Sequence, residues 1–411
     1  MSVQAASRGQ AASPGQAADP GQAADPGVGR SPFALTEDQS EIRRTAREFA
    51  DEQLAPGALE WDQNKHFPVE VVRKAGELGI GGLTAAEEFG GSALGRFDAV
   101  LVFEELATGC PCIAAYLSIH NMVVGMVDRY GSREQRARWL PGLCSLDTFA
   151  SYCLTEPEAG SDAGALRTRA VRDGDDYLLT GVKQFISGGG SSGLYVVMAR
   201  TGGGGAEGVS AFVVEGGAEG LSFGPEEAKM GWNAQPTRQV VLDGVRVPAG
   251  NRLGDEGDGF RIAMSGLDGG RLNIGACSLG GARAALDKSL AYGRERSAFG
   301  SRLVDFQALQ FKLADMATDL EAARMLLWRA ACALDAGDPD ATRLCAMAKR
   351  LSTDAGFSVA NDALQIHGGY GYLAEYGLEK IVRDLRVHQI LEGTNEIMRL
   401  IISRGLLEST P

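Results

Sequence analysis

The sequence lacks the features that would mark a nucleic-acid binder: 40 Lys+Arg stand against 53 Asp+Glu, a formal charge of −13. A surface with that balance repels a polyanion. Histidine is scarce, with four residues in 411. The seven cysteines (Cys110, Cys112, Cys144, Cys153, Cys277, Cys332, Cys345) show no paired CxxC spacing. Neither a metal site nor a disulfide framework is expected. No apolar run approaches the roughly 18 residues that cross a bilayer, so no membrane partner is expected. Residues 1 to about 30 repeat Gly-Gln-Ala-Ala-Asp-Pro with balanced charges. They lack both the apolar core of a signal peptide and the acid-poor, Arg-rich character of a transit peptide. A disordered tail over 1–33 and a cytoplasmic protein are expected.

What is present is an ordinary globular composition, 44% hydrophobic and 23% charged, over a length that predicts two or three domains. The hydrophobic period divides the chain into three zones. From Thr36 to about 148 it is helical. Thr36 with Gln39 and Ser132 with Gln135 have capping-box spacing, Pro68 suits a first turn, and 99–106 reads as a buried helical segment. From about 150 to 250 the period falls to two, in 177–179, 194–199, 209–214 and 239–242, with Asp173-Gly174 and Asp243-Gly244 as turns. A compact antiparallel β-domain follows from this. After Gly259 the helical period returns, notably over 309–334 and 341–364, as in a four-helix-type bundle. The chain is therefore read as α+β: a helical domain over 34–149, a β-domain over 150–252 and a helical bundle over 253–411, with pockets at the junctions.

The glycine runs at 188–193 and 202–205 fail the context of a dinucleotide fingerprint, because the strand-like 194–199 follows the first where a helix should open. They are read as hairpin loops. Three other stretches carry polar groups in less ordinary company. Residues 152–161 gather hydroxyls, a glycine and a Pro-fixed turn at the entrance to the β-domain. Residues 365–371 end a long helix with a donor-rich backbone that could approach a planar or phosphorylated ligand, although a glycine cap and turn is the simpler account of it alone. Glu392 stands among apolar residues, yet a solvated or salt-bridged role is the default for one acid among 53.

Taken in order, these stretches change meaning. Helices, a β-domain and helices again, with T-E-P-x-A-G-S at 155–161, R-x-x-F-G at 296–300, Q-I-H-G-G at 365–369 and L-E-G-T at 391–394, resemble the acyl-CoA dehydrogenase family over about residues 34–408. Within it, residues 114–121, 231–238 and 268–271 look most like the branch that acts on isobutyryl-CoA. The resemblance implies an N-terminal helical domain, a middle antiparallel β-barrel-like domain and a C-terminal four-helix bundle. It implies FAD-dependent oxidation of the Cα–Cβ bond of an acyl-CoA, for this branch isobutyryl-CoA to methacrylyl-CoA in valine breakdown. The resemblance puts Glu392 in the place of the α-proton base and implies that its backbone N–H faces the thioester oxygen. Another branch draws its base from a segment resembling L-D-x-E-R; here residues 267–271 have Gly270 in that glutamate's place.

By the same transfer, Tyr152, Leu154, Thr155, Gly160, Ser161, Phe185, Ile186 and Ser187 are implied to border the isoalloxazine, with F-I-S where many relatives have W-I-T. Arg296, Phe306, Gln307, Gln365, Ile366, His367, Gly368 and Gly369 are implied to hold the adenosine diphosphate of FAD, drawn in the family from a different subunit. Thr394, Asn395 and Glu396 complete the cofactor set. Ser161, Asp268, Gly269, Gly270, Arg271, Gly393 and Arg404 are implied to contact acyl-CoA, with Gly269 and Gly270 leaving width for an α-methyl group. His367 and His388 are expected to be neutral packing residues. The implied partners are the acyl-CoA substrate, an electron-transferring flavoprotein and other copies of the chain in a homotetramer. The competing readings are a 2-methylbutyryl-CoA or straight short-chain acyl-CoA dehydrogenase, an oxidase on the same fold and a non-catalytic CoA-binding protein.

Overall fold

The computed structural model describes residues 33–408, so the tail expected over 1–33 lies, Phe33 apart, outside the described residues. Six helices come first: α1 (Glu37–Phe49), α2 (Ala58–Asn64), α3 (Val69–Glu77), α4 (Arg96–Gly109), α5 (Pro111–Tyr130) and α6 (Arg133–Cys144). The capping box at Ser132 and Gln135 starts α6, each side chain bonding the other residue's backbone N–H. Pro68 sits one position before α3 rather than inside its first turn. The segment 99–106 lies in α4 and is buried throughout, because it is apolar on every face except for Glu104 and Glu105. A buried carboxylate that stays charged is normally paired. Glu105 takes Arg43 of α1 at 2.6 Å, while Glu104 takes Arg324 at 3.0 Å and Arg283 at 3.4 Å.

The strands are β1 (Ala150–Cys153), β2 (Arg169–Asp173), β3 (Asp176–Ser187), β4 (Leu194–Arg200), β5 (Val209–Glu215), β6 (Leu221–Phe223), β7 (Thr237–Pro248) and β8 (Arg252–Leu253). Their sheet runs β6-β7-β3-β2-β4-β5-β8, with β1 added on β4. Most pairs are antiparallel, but β1–β4 and β2–β4 are parallel, so the sheet is mixed rather than wholly antiparallel. The cause is the β2–β3 hairpin inserted between β1 and β4, which supplies the long crossover that parallel neighbours need. β4 is buried on both faces. Leu194, Val196 and Met198 pack with α5 and α6, whereas Tyr195, Val197 and Ala199 form a second core with β3, β5 and β7.

The helical return comprises α7 (Gly259–Glu295), a short hairpin β9 (Ser297–Ala298) and β10 (Ser301–Arg302), then α8 (Gln307–Asp335), α9 (Ala341–His367), α10 (Leu378–Arg386) and α11 (Asn395–Glu408). At 37 residues α7 is the longest of these. It packs on α4, α5, α8 and α9 and so joins the two helical zones around one apolar cluster. A loop from the β-zone is tied to the same region. The Trp232 N–H donates to Asp384 at 2.6 Å, the indole N–H to His388 at 3.3 Å, and His388 Nδ1 meets Ser278 at 2.7 Å.

Candidate active site

Between α10 and α11 the chain makes a tight turn in which Glu392 (φ 55°) and Gly393 (φ 90°) are both left-handed. A non-glycine residue held there costs of order 1–3 kcal/mol, so the surroundings must fix it. They do so through two cations on successive carbonyls. Arg271 Nε donates to the Glu392 carbonyl at 3.3 Å, and Lys349 Nζ donates to the Gly393 carbonyl at 2.9 Å. The carboxylate itself is left alone. Both of its oxygens are out of solvent and neither has a hydrogen-bond partner among the described residues. Burial favours the neutral acid and raises its pKa to about 7, while the nearby charges of Lys349 and Arg271 pull the other way. This overturns the solvated role that Glu392 alone would suggest.

Arg271 is 5% exposed and pairs with Asp268 at 2.7 Å, and Asp268 in turn accepts the Thr342 hydroxyl at 2.7 Å. Gly270 lies directly against Glu392: a Cβ there would fall 2.7 Å from Oε2 and 3.0 Å from the carboxyl carbon. The neighbouring Gly269 faces the Arg96 guanidinium, with its Nη1 2.6 Å from such a Cβ. The width that these glycines were expected to leave for an α-methyl is thus occupied by Glu392 and Arg96. Asn395 departs from expectation too. Its amide donates to Thr353 at 2.9 Å and Asp354 at 2.7 Å, and its oxygen accepts from Lys349 at 3.0 Å. Both donor hydrogens are used, so its side chain has none left for a cofactor. Thr394 caps α11, accepting the Ile397 N–H at 3.3 Å, and Glu396 is exposed in the first turn.

The flavin-facing residues expected from the sequence lie on two neighbouring segments. Tyr152 is in β1, and Leu154 and Thr155 follow it. A bulge in β3 puts Phe185 at φ 59° and turns its ring outward, 63% exposed, between the buried Gln184 and Ile186. The Thr155 carbonyl accepts the Gln184 N–H at 2.8 Å, which ties the two segments together. Beneath them Lys183, fully buried, bonds the Leu154 carbonyl at 3.1 Å and Glu156 at 2.8 Å. Ser187 accepts from Gln235 at 3.3 Å. Gln235 Oε1 and the Tyr152 hydroxyl, which lies within electrostatic reach of Glu392, are buried here with no partner among the described residues. Orphaned polar atoms of this kind mark where a polar ligand completes a site. Gly160 and Ser161 stand exposed at the end of the loop.

Arg296, Ile366, His367, Gly368 and Gly369 come together around a cavity of about 480 Å³, joined by Tyr292, Leu303, Tyr370 and Leu373. Arg296 stands 5.4 Å from the Tyr370 ring centroid and His367 stacks on Tyr292 at 4.3 Å. Gly368 and Gly369 have open space where a side chain would stand. Phe306, Gln307 and Gln365 do not line this cavity, and neither do Glu392, Arg271 and Lys349. Arg404 is exposed near the far end of α11. His388 is fully buried and desolvation lowers its pKa to about 3, so it is a neutral packing group. Sequence reasoning missed Lys349, Gln235 and Tyr292. Lys349 had a signal: it falls on the buried helical stripe of Cys345, Ser352, Gly356 and Val359, where a lysine is out of place.

The site thus sets a buried, unpartnered carboxylate near a hydroxyl-bearing β-layer with unfilled polar valences. Comparison with known proteins supplies the class of protein. The chain matches the acyl-CoA dehydrogenase N-terminal domain over residues 36–147, the middle domain over 151–245 and the C-terminal domain over 257–407. It is 54% identical over 374 residues to mitochondrial isobutyryl-CoA dehydrogenase of Bos taurus, covering 91% of this chain and 90% of that one. Butyryl-CoA dehydrogenase from Megasphaera elsdenii superposes with a TM-score of 0.89 at 38% identity, covering 92% and 100% of the two chains. A glutaryl-CoA dehydrogenase from Mycobacterium smegmatis, solved with FADH2, gives 0.86 at 29% identity over 92% and 96%. The chain belongs to the acyl-CoA dehydrogenase family. It is accordingly an FAD-dependent oxidoreductase, and the unfilled valences of Gln235 and Tyr152 together with the open glycine cradle fit that cofactor.

Proposed function

We propose that the chain oxidises isobutyryl-CoA to methacrylyl-CoA, a step of valine breakdown, with Glu392 removing the α-proton. The observation that carries the reading is the Glu392 carboxylate itself, dry, unpartnered and with a pKa raised to about 7. A base whose pKa lies near the working pH combines a usable charged fraction with enough strength to take a proton from carbon. The Glu392 N–H donates to no group among the described residues. It is free to meet the negative charge that develops on the thioester oxygen as the proton leaves, and a donor fixed beforehand lowers that barrier most. Arg271 and Lys349 act on the carbonyls behind it and keep the turn rigid.

FAD would be held by the Tyr152–Ser161 loop and by Phe185, Ile186 and Ser187 at the ring, and by Arg296 with Ile366–Gly369 at the diphosphate. The chemistry that bound FAD supplies is uptake of the β-hydride. Arg296 offers the planar fork that suits a diphosphate. The family resemblance draws the ring-facing and diphosphate-facing groups of one site from different subunits, and the proposal of a homotetramer rests on it. An electron-transferring flavoprotein is the proposed acceptor. The branched substrate rests on the name of the bovine relative and on residues 114–121 and 231–238.

The test is kcat/KM for isobutyryl-, 2-methylbutyryl-, butyryl-, isovaleryl- and octanoyl-CoA with an artificial electron acceptor. Isobutyryl-CoA should lead, with a margin of roughly 10- to 200-fold per misplaced methylene. A series led by isovaleryl- or octanoyl-CoA would overturn the substrate assignment.

A further inference from the structure

Lys349 lies on α9 with no solvent exposure. A buried ammonium persists when other groups replace its hydration. Its two direct acceptors, the Gly393 carbonyl and Asn395 Oδ1, are both neutral. The anion that balances it most strongly is Glu392, which it does not touch. The geometry therefore differs from an ion pair: the lysine grips the turn one residue beyond the glutamate and acts on the carboxylate through space. Asn395, locked by Thr353 and Asp354, fixes the ammonium from the other side.

We propose that Lys349 is a positioning residue for Glu392, pinning the left-handed turn that presents the carboxylate and holding that carboxylate in its charged, proton-accepting form. The proposal rests on the reading of Glu392 as the base. The other groups facing the pair are Arg271 and Cys277 from α7, Tyr152 from β1, Asp354 from α9, Glu396 from α11 and the neutral His388. Of these only Arg271 also favours the Glu392 anion, and it is already paired with Asp268. Lys349 keeps its proton at neutral pH, its pKa being lowered by desolvation to about 8. Removing its charge raises the Glu392 pKa, because the carboxylate loses a stabilising cation while its burial is unchanged.

The experiment compares Lys349→Gln and Lys349→Arg holoenzymes with wild type, using Glu392→Gln as the reference. Turnover of isobutyryl-CoA is followed against pH. In parallel, infrared difference titration of the substrate-free proteins follows the protonated-carboxyl band that Glu392→Gln lacks. Lys349→Gln should move the acid limb of kcat/KM and the infrared midpoint upward together, by about one pH unit. Lys349→Arg, which keeps the charge, should leave both near the wild-type position. A purely structural role would lower activity at every pH without moving either midpoint, and that result overturns the proposal. If Lys349→Gln yields no folded holoenzyme, Lys349→Met is read by the same two midpoints. Should Glu392→Gln retain turnover, the base reading falls and this proposal with it; an inactive Glu392→Gln beside an unmoved Lys349→Gln removes this proposal alone.

Discussion

Glu392 is costly to the folded state. Its carboxyl titrates near 7 in the fold against 4.5 as the ordinary value, so the folded chain holds a proton that the unfolded chain releases between those pH values. Stability is then fully present below about pH 4.5 and is lost as pH rises through 7, by about 3 kcal/mol per site. Glu392→Gln has no charge to bury. Its melting temperature should exceed the wild type's at pH 8, with the difference shrinking toward pH 5 in a thermal-shift series. A deficit at pH 8 would show that the carboxylate is not desolvated. At this scale the sequence was legible where chemistry repeats in a motif, as at Glu392, and illegible where it depends on what lies across the fold. Nothing local distinguishes Asn395 spent on Lys349 from Asn395 free for a ligand. Nor does the pair Gly269 and Gly270 reveal that Arg96 and Glu392 fill the space beside it.

Among the elements, α7 brings its glycines to the turn before α11, and the fit is close enough to test. Gly270→Ala should favour the helix by about 1 kcal/mol in propensity alone. Its methyl would nevertheless sit 2.7 Å from Glu392 Oε2, so the carboxylate must move. A displacement of about 1 Å at a reacting group costs roughly 100-fold in rate. The expected result is a drop of that size in kcat, with FAD content and melting temperature close to wild type. An unchanged kcat would mean that the carboxylate works from elsewhere. Element types were readable because the hydrophobic period separates helix from strand. The parallel pairing of β1 with β4 was not, since alternation gives the buried face of a strand and says nothing about its neighbour. The turn at 392–393 was equally hidden, being held by Arg271 and Lys349 from two other helices.

Across the whole molecule, the order of the zones and of the four motifs was enough to indicate the family, because several short signals in one sequence order are far less accidental than any one of them. The closure of the site was not readable at that scale. It depends on α4, α7 and α9 sharing a core and on the β-zone being tied to α10 through Trp232 and Asp384. This assembly dries and isolates one carboxylate, which on the proposed function takes a proton from carbon. The most direct test is kcat/KM with isobutyryl-CoA against pH for wild type and Glu392→Gln, each checked for FAD content. Wild type should rise to a plateau with a midpoint near 7, and Glu392→Gln should fall by about 100-fold or more at every pH with FAD retained. A variant keeping most of the wild-type rate would show that the base lies elsewhere, and a wild-type midpoint near 4.5 would show that the carboxylate is not desolvated.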